Sequence, residues 1–138
     1  MILKKNKPKI ATILPYKESY TLEHASAVSL WVSGFFKRSF FKKSNYIFGN
    51  ANSNNYLTKN YKNIPLQNLK LKFKSTSNEY INKLITEIIK IKFDIIEVHN
   101  RPLVLLRLME NIKAKFILYY HNDPLSMSGS KSISERTN

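Results

Sequence analysis

Two short apolar runs in the second half of the chain each end on a histidine followed by an asparagine. Asp94-Ile95-Ile96-Glu97-Val98 leads into His99-Asn100-Arg101-Pro102, and Phe116-Ile117-Leu118-Tyr119-Tyr120 leads into His121-Asn122-Asp123-Pro124. His99 and His121 can each act near neutral pH as acid, base or hydrogen-bond donor to a phosphate or a sugar hydroxyl. Asn100 and Asn122 carry a donor and an acceptor on one group, which suits hydroxyl recognition. Asp123 can accept from two hydroxyls or take a proton, and Arg101 can fork onto a phosphate. Asparagine and aspartate also end strands simply as turn formers, with Pro102 and Pro124 fixing those turns. Turn chemistry alone accounts for one such pair; two pairs at neighbouring strand ends point to a site. No third ligand stands at metal spacing from the two histidines, so no metal is expected.

The elements that would carry these groups alternate between strand and helix. Lys9 to Leu14 reads as a buried first strand stopped by Pro15, followed by a polar loop from Tyr16 to Glu23. From His24 to about Phe41 the positions Ala25, Val28, Val32, Phe35 and Phe36 fall at helical spacing, predicting an apolar face. Asn45-Tyr46-Ile47-Phe48 is a second short strand, and Ala51 to Asn63 has no period and reads as a loop. Leu69 to Phe73 alternates strictly, as an edge strand does. Ser75 to Glu79 supplies capping residues for a helix reaching about Lys92, with Ile81, Leu84, Ile85, Ile88 and Ile89 on its inner face. The strand Asp94–Val98, a helix from Pro102 with Leu105, Leu108, Met109 and Ile112 inward, and the strand Lys115–Tyr120 complete the series. This alternation predicts an α/β fold: a doubly wound, mainly parallel, Rossmann-like sheet with helices on both faces. In such sheets the ligand crevice lies beyond the carboxyl ends of the strands, where both histidines fall. The first loop adds Glu18, Glu23 and His24 at the same edge, beside the free amides of the following helix; carboxylates there can simply complement the helix dipole, the role expected of Glu23.

Composition narrows the function classes. A chain of 138 residues is one domain on the usual size scale. It contains no cysteine, which removes disulfides, zinc–thiolate sites and cysteine nucleophiles. Its three glycines, Gly34, Gly49 and Gly129, form neither a dinucleotide fingerprint nor a phosphate-binding loop. No serine-hydrolase elbow is present. The longest apolar run is strand-sized, far short of the roughly 20 residues that span a bilayer. A net charge of +14 calls for an anionic partner, but 19 of the 23 basic residues are scattered lysines accompanied by 15 Asn and 15 Ile, the codon bias of an AT-rich genome. Clustered arginine, a groove-reading motif and a stacking platform are all missing, so nucleic acid is not an expected partner.

Asp94 to Pro102, then Tyr119-Tyr120-His121-Asn122-Asp123-Pro124-Leu125, then Ser130-Lys131-Ser132 and Glu135-Arg136 together resemble the amino-terminal domain of a family 4 glycosyltransferase of the GT-B fold. Ile13-Leu14-Pro15 through Glu18 to Ala25-Ser26-Ala27-Val28 is similar to that family's first loop and helix. The resemblance covers essentially the whole chain. It implies transfer of a sugar from a nucleotide-sugar donor to a glycan or lipid-linked acceptor, with retention and without a metal, in a cleft between two Rossmann-like domains. Residues 1–138 then form the acceptor side, incomplete at its carboxyl end, and the donor-binding domain is absent, so these residues alone should turn over little or nothing. The acceptor would lie against Glu18, His24, His99, Asn100, Arg101, Asn122 and Asp123. His121 would stand nearest the reacting centre and donate to the donor sugar or its phosphate. No cofactor beyond the nucleotide-sugar co-substrate is implied, and the expected location is the cytoplasm, at the inner face of the cell membrane. Two departures stand out: His24-Ala25-Ser26-Ala27 replaces the glycine-rich start of the family's first helix, and the paired glutamates of the donor domain are missing. The competing reading is a non-catalytic domain that binds a phosphorylated sugar or another anion.

One further segment mixes aromatic and basic residues. Phe35-Phe36-Lys37-Arg38-Ser39-Phe40-Phe41-Lys42-Lys43 reads either as the basic end of a packed helix or as a membrane-interface segment, with Phe40, Phe41, Lys42 and Lys43 as its candidate membrane-facing residues.

Overall fold

A computed structural model of the chain describes residues 7–66 and 76–121. The elements run β1 (Ile10–Ile13), α1 (Ala27–Arg38), a one-turn 3-10 helix (Lys42–Ser44), β2 (Asn45–Gly49), β3 (Tyr61–Asn63), α2 (Thr76–Ile88), β4 (Ile95–His99), α3 (Pro102–Asn111) and β5 (Lys115–Tyr119). The five strands form one sheet in the order β3-β2-β1-β4-β5, and every pairing is parallel. This is the Rossmann-like α/β arrangement read from the sequence.

Because β1 is central, it needs buried residues on both faces, and Ala11 and Ile13, with Leu14 just past its end, are fully buried. In register, Thr12 lies opposite Ile47 on one side and Glu97 on the other, and Glu97 opposite Ile117. One face therefore carries Thr12, Ile47, Glu97, His99, Ile117 and Tyr119; the other carries Ala11, Ile13, Phe48, Ile96, Val98 and Leu118. The second face is covered by α2 and α3, whose Ile81, Leu84, Ile88, Val104 and Leu108 join it in the larger core. Full burial of a side chain such as Leu84 or Ile96 contributes roughly 1.5–3 kcal/mol. The first face receives α1 over β1, β2 and β3, where Val28, Val32 and Phe36 meet Leu14, Ile47 and Tyr61. Connections running toward β3 and toward β5 thus lie on opposite faces, as right-handed crossovers require. No described helix covers β5 on the α1 side, and Ile117 and Tyr119 are exposed there.

Several local expectations need correction. Ala51 to Asn63 is not wholly loop, since Tyr61–Asn63 pairs with β2 as the sheet edge. Three residues are too few to show a period, and Tyr61 is held by side-chain stacking on Tyr20 and Tyr56 instead. Helix α1 starts at Ala27, three residues later than expected, because the Ser26 hydroxyl accepts from the Ser29 amide and caps it. Phe35 sits at the rim of the buried arc centred on Val32, Phe36 and Ser29, and is 56% exposed. Met109 and Ile89 also face solvent, and α2 ends at Ile88 rather than near Lys92. Val104, not singled out in the sequence, takes the inward place beside Leu105 and Leu108. The edge strand expected at Leu69–Phe73 lies outside the described residues.

Candidate functional site

The polar cluster forms because β4 and β5 are neighbours with His99 opposite Tyr119. Two residues past Tyr119, the imidazole of His121 lies edge to edge with that of His99, ring centroids 5.0 Å apart and planes inclined by 25°. Asn100 makes the turn at the end of β4. Its φ of 56° is left-handed, a conformation asparagine tolerates better than most side chains. The Asn100 amide donates to the Tyr119 carbonyl at 2.8 Å, and its side-chain Oδ1 accepts from the His121 amide at 2.7 Å. Asn100 therefore ties the two strand ends together, and its side-chain carbonyl is already engaged.

His99 is wholly inaccessible to solvent. Its Nε2 lies 2.5 Å from Glu97 Oε1 and its Nδ1 lies 2.7 Å from His121 Nε2, giving one continuous line from carboxylate to imidazole to imidazole. Period-two alternation places Glu97 and His99 on the same face of β4. Helix α1 supplies the wall: the Trp31 indole stands 6.0 Å from His99, 4.9 Å from Tyr119 and edge-on 5.0 Å from His121. Tyr119 stacks on His99 at 5.3 Å. Burial and the neighbouring His99 hold the His121 pKa below its usual 6.5, opposed by the carboxylates of Glu18 and Glu97.

The structure thus brings His99, Asn100 and His121 together, with the Glu18 carboxylate acting on His121 through its charge. Glu18 is half-exposed in the first loop, its amide bonded to the Pro15 carbonyl. That loop is pinned by Tyr20, fully buried against Tyr61, and by an antiparallel bridge from Thr21 to Tyr56. Glu23 does not sit on the helix dipole; its carboxylate accepts from Ser53 and Asn55 and fastens the first loop to the loop after β2. His24 is exposed, and among the described residues no hydrogen bond or ring contact joins it to the other two histidines. Arg101 stands half-buried at the start of α3, its carbonyl accepting from Leu105. Asn122 and Asp123 lie outside the described residues.

Glu97 and Trp31 were not singled out in the sequence as site residues. For Glu97 a signal existed: it is the one acidic residue inside the strand, two positions before His99. Trp31 gave none, because its role depends on the indole reaching from α1 to the ends of β4 and β5.

Beside the cluster, a cavity of about 760 Å³ runs along the open side of α1, lined by Ile10, Trp31, Phe35, Arg38, Phe40 and Glu97 among others. Of the candidate membrane-facing residues, Phe40 is 75% exposed with its ring edge-on to the half-buried Phe41, and Lys42 and Lys43 are exposed in the 3-10 turn. Among the described residues no group of three or more acidic, histidine or cysteine side chains could hold a metal ion, and no helix is long and apolar enough to cross a membrane. No family model, curated protein or solved structure matches the chain.

Proposed function

We propose that the chain is the acceptor-side, Rossmann-like half of a glycosyltransferase that moves a sugar, with retention, from a nucleotide-sugar donor to a glycan or lipid-linked acceptor. One observation carries the reading: two histidines from different strand ends meet at the carboxyl-terminal edge of the sheet, where parallel α/β proteins bind ligands. Mixed donors and acceptors at that edge suit a polyhydroxylated ligand better than a purely anionic one, for which a cluster of cations would serve. His121 contacts the acceptor, Glu18 and Arg101 flank it, and Asn100 holds the frame. Donor binding falls to a second domain.

The same reading places the protein against an anionic membrane, as the inner face of a cell membrane would present. Exposed Leu30, Trp31, Phe35 and Phe40 lie close to Lys37, Arg38, Lys42 and Lys43, a mixture that suits an interfacial contact.

The binding claim is tested by titrating the isotopically labelled chain with methyl glycosides, sugar phosphates and inorganic phosphate, following backbone amides by NMR. Glycosides should shift the amides of Glu18, His99, Asn100 and His121, and His121→Ala should abolish the response. A response to phosphate alone would favour a simple anion-binding domain, and silence toward every glycoside and sugar phosphate would remove the reading.

A further inference from the structure

The line Glu97–His99–His121 has a direction set by chemistry. A carboxylate only accepts hydrogen bonds, so the proton in the 2.5 Å contact belongs to His99 Nε2. Neutral His99 then has a bare Nδ1, which accepts at 2.7 Å from the Nε2 proton of His121. His121 is left with its lone pair on Nδ1.

We propose that Glu97, His99 and His121 form a proton relay that opens at His121 Nδ1, so that a hydroxyl bound there meets a base rather than a donor. Glu97 and His99 are positioning residues, and only His121 touches the ligand. When the ligand O–H bond breaks, its proton bonds to His121 Nδ1 while the Nε2 proton of His121 passes to His99 Nδ1. The positive charge comes to rest on His99, against the Glu97 carboxylate and shielded from water. The electron pair left on oxygen attacks the anomeric carbon of a nucleotide-activated sugar, whose phosphate departs with the bonding pair. In a retaining transfer the departing phosphate can itself accept the proton; the relay supplies a second destination.

The surroundings fit this direction. The titratable groups facing His121 are Glu18 from the first loop, Glu97 and His99 from β4, and Tyr119 from β5, with Trp31 closing the α1 side. Burial and His99 favour neutral His121, the form that can take a proton. The relay is buried at its middle, where His99 is inaccessible, and both Glu97 and His121 are partly exposed, so the proton passes between the two imidazoles without a bridging water.

The use of the base in sugar transfer rests on the proposed function, but the relay itself does not, and it is read without ligand. Long-range proton–nitrogen NMR on the labelled chain above the His121 titration should find both histidines protonated at Nε2 and bare at Nδ1. A neutral His121 with its proton on Nδ1 would overturn the proposal. Glu97→Gln keeps an acceptor for His99 but removes the charge, so the tautomers should persist while the His121 titration midpoint falls. An unchanged midpoint would exclude Glu97 from the relay, and Glu97→Asp should restore part of the shift. If the glutamine variant does not fold, the wild-type tautomers still decide. Glycosides that fail to bind a chain with the expected tautomers would overturn the sugar reading and leave the relay standing; reversed tautomers with glycosides bound would do the opposite.

Discussion

Asn100 shows how one residue both builds and constrains the cluster. Its left-handed backbone costs an ordinary L-residue about 1–2 kcal/mol, and its side chain alone ties β4 to the His121 amide. Asn100→Ala should therefore lose both, destabilising the fold by about 2 kcal/mol in urea unfolding. Asn100→Gly relieves the backbone but not the tie, so it should cost less; equal losses would show that the backbone conformation is not the cause. His121 itself makes a pH prediction. Its pKa in the folded chain lies below the 6.5 of the unfolded one, so the unfolded state binds more protons between the two values. The stability that neutral His121 contributes is thus present above about pH 6.5 and is lost as pH falls through the folded-state value. The stability gap between wild type and His121→Ala should shrink on acidification from pH 7 to 5, measured by thermal unfolding; a gap that widened would mean that the folded state prefers the charged ring. Catalytically, His121→Ala in a complete transferase should lower turnover by roughly 10²–10⁴-fold if the ring handles the proton.

At the level of elements, the strands and helices whose periods run over four or more residues were legible, and those fixed by single side chains were not. The strand-end histidines could be placed because β4 and β5 are apolar runs of ordinary length, and their adjacency followed from the short helix between them. β3 was missed because Tyr61 is held by stacking on Tyr20, a residue far away in sequence, with the Tyr56 ring tilted against it. Tyr20 in turn made a polar-looking loop into a buried anchor. The relay was half legible: its two histidines were singled out, but Glu97 read as an exception in an apolar strand until the structure showed its carboxylate bonded to His99, two residues on along the same face. Tyr80 belongs to this scale too. Fully buried on α2, it donates to the Leu14 carbonyl at 2.5 Å, just past the end of β1, and burial keeps its phenol protonated far into the alkaline range. Tyr80→Phe keeps the ring and strands that carbonyl, so it should cost about 1–3 kcal/mol in chemical denaturation. A neutral result would mean that water or a shifted backbone satisfies Leu14.

Over the described residues the molecule is asymmetric. Helices α2 and α3 cover one face of the sheet, whereas α1 covers only part of the other, leaving Ile117 and Tyr119 exposed on β5 and Trp31 and Phe35 exposed beside a cavity of about 760 Å³. Sequence periodicity foretold helices on both faces but not this imbalance, because it reports which residues of a helix turn inward and not how far the helix reaches across the sheet. Phe40 extends the apolar surface, and Lys7 reaches 3.7 Å from its ring centre, with its ammonium donating to the Phe40 carbonyl at 3.1 Å. On a chain of net charge +14, scattered lysines would attract any anionic surface; only the apolar residues make contact specific to this side. The two contributions separate experimentally. Wild-type chain should sediment with vesicles containing anionic lipid and not with neutral ones, and binding should weaken with salt. Lys42→Glu with Lys43→Glu should reduce binding to anionic vesicles, since each basic residue near such a surface contributes about 1 kcal/mol. Phe35→Ser with Phe40→Ser should reduce it as well at unchanged charge, and the remaining binding should become more sensitive to salt. Retained binding in the serine variant, with the same salt dependence as wild type, would reduce the association to diffuse charge and take the membrane away from this face of the molecule.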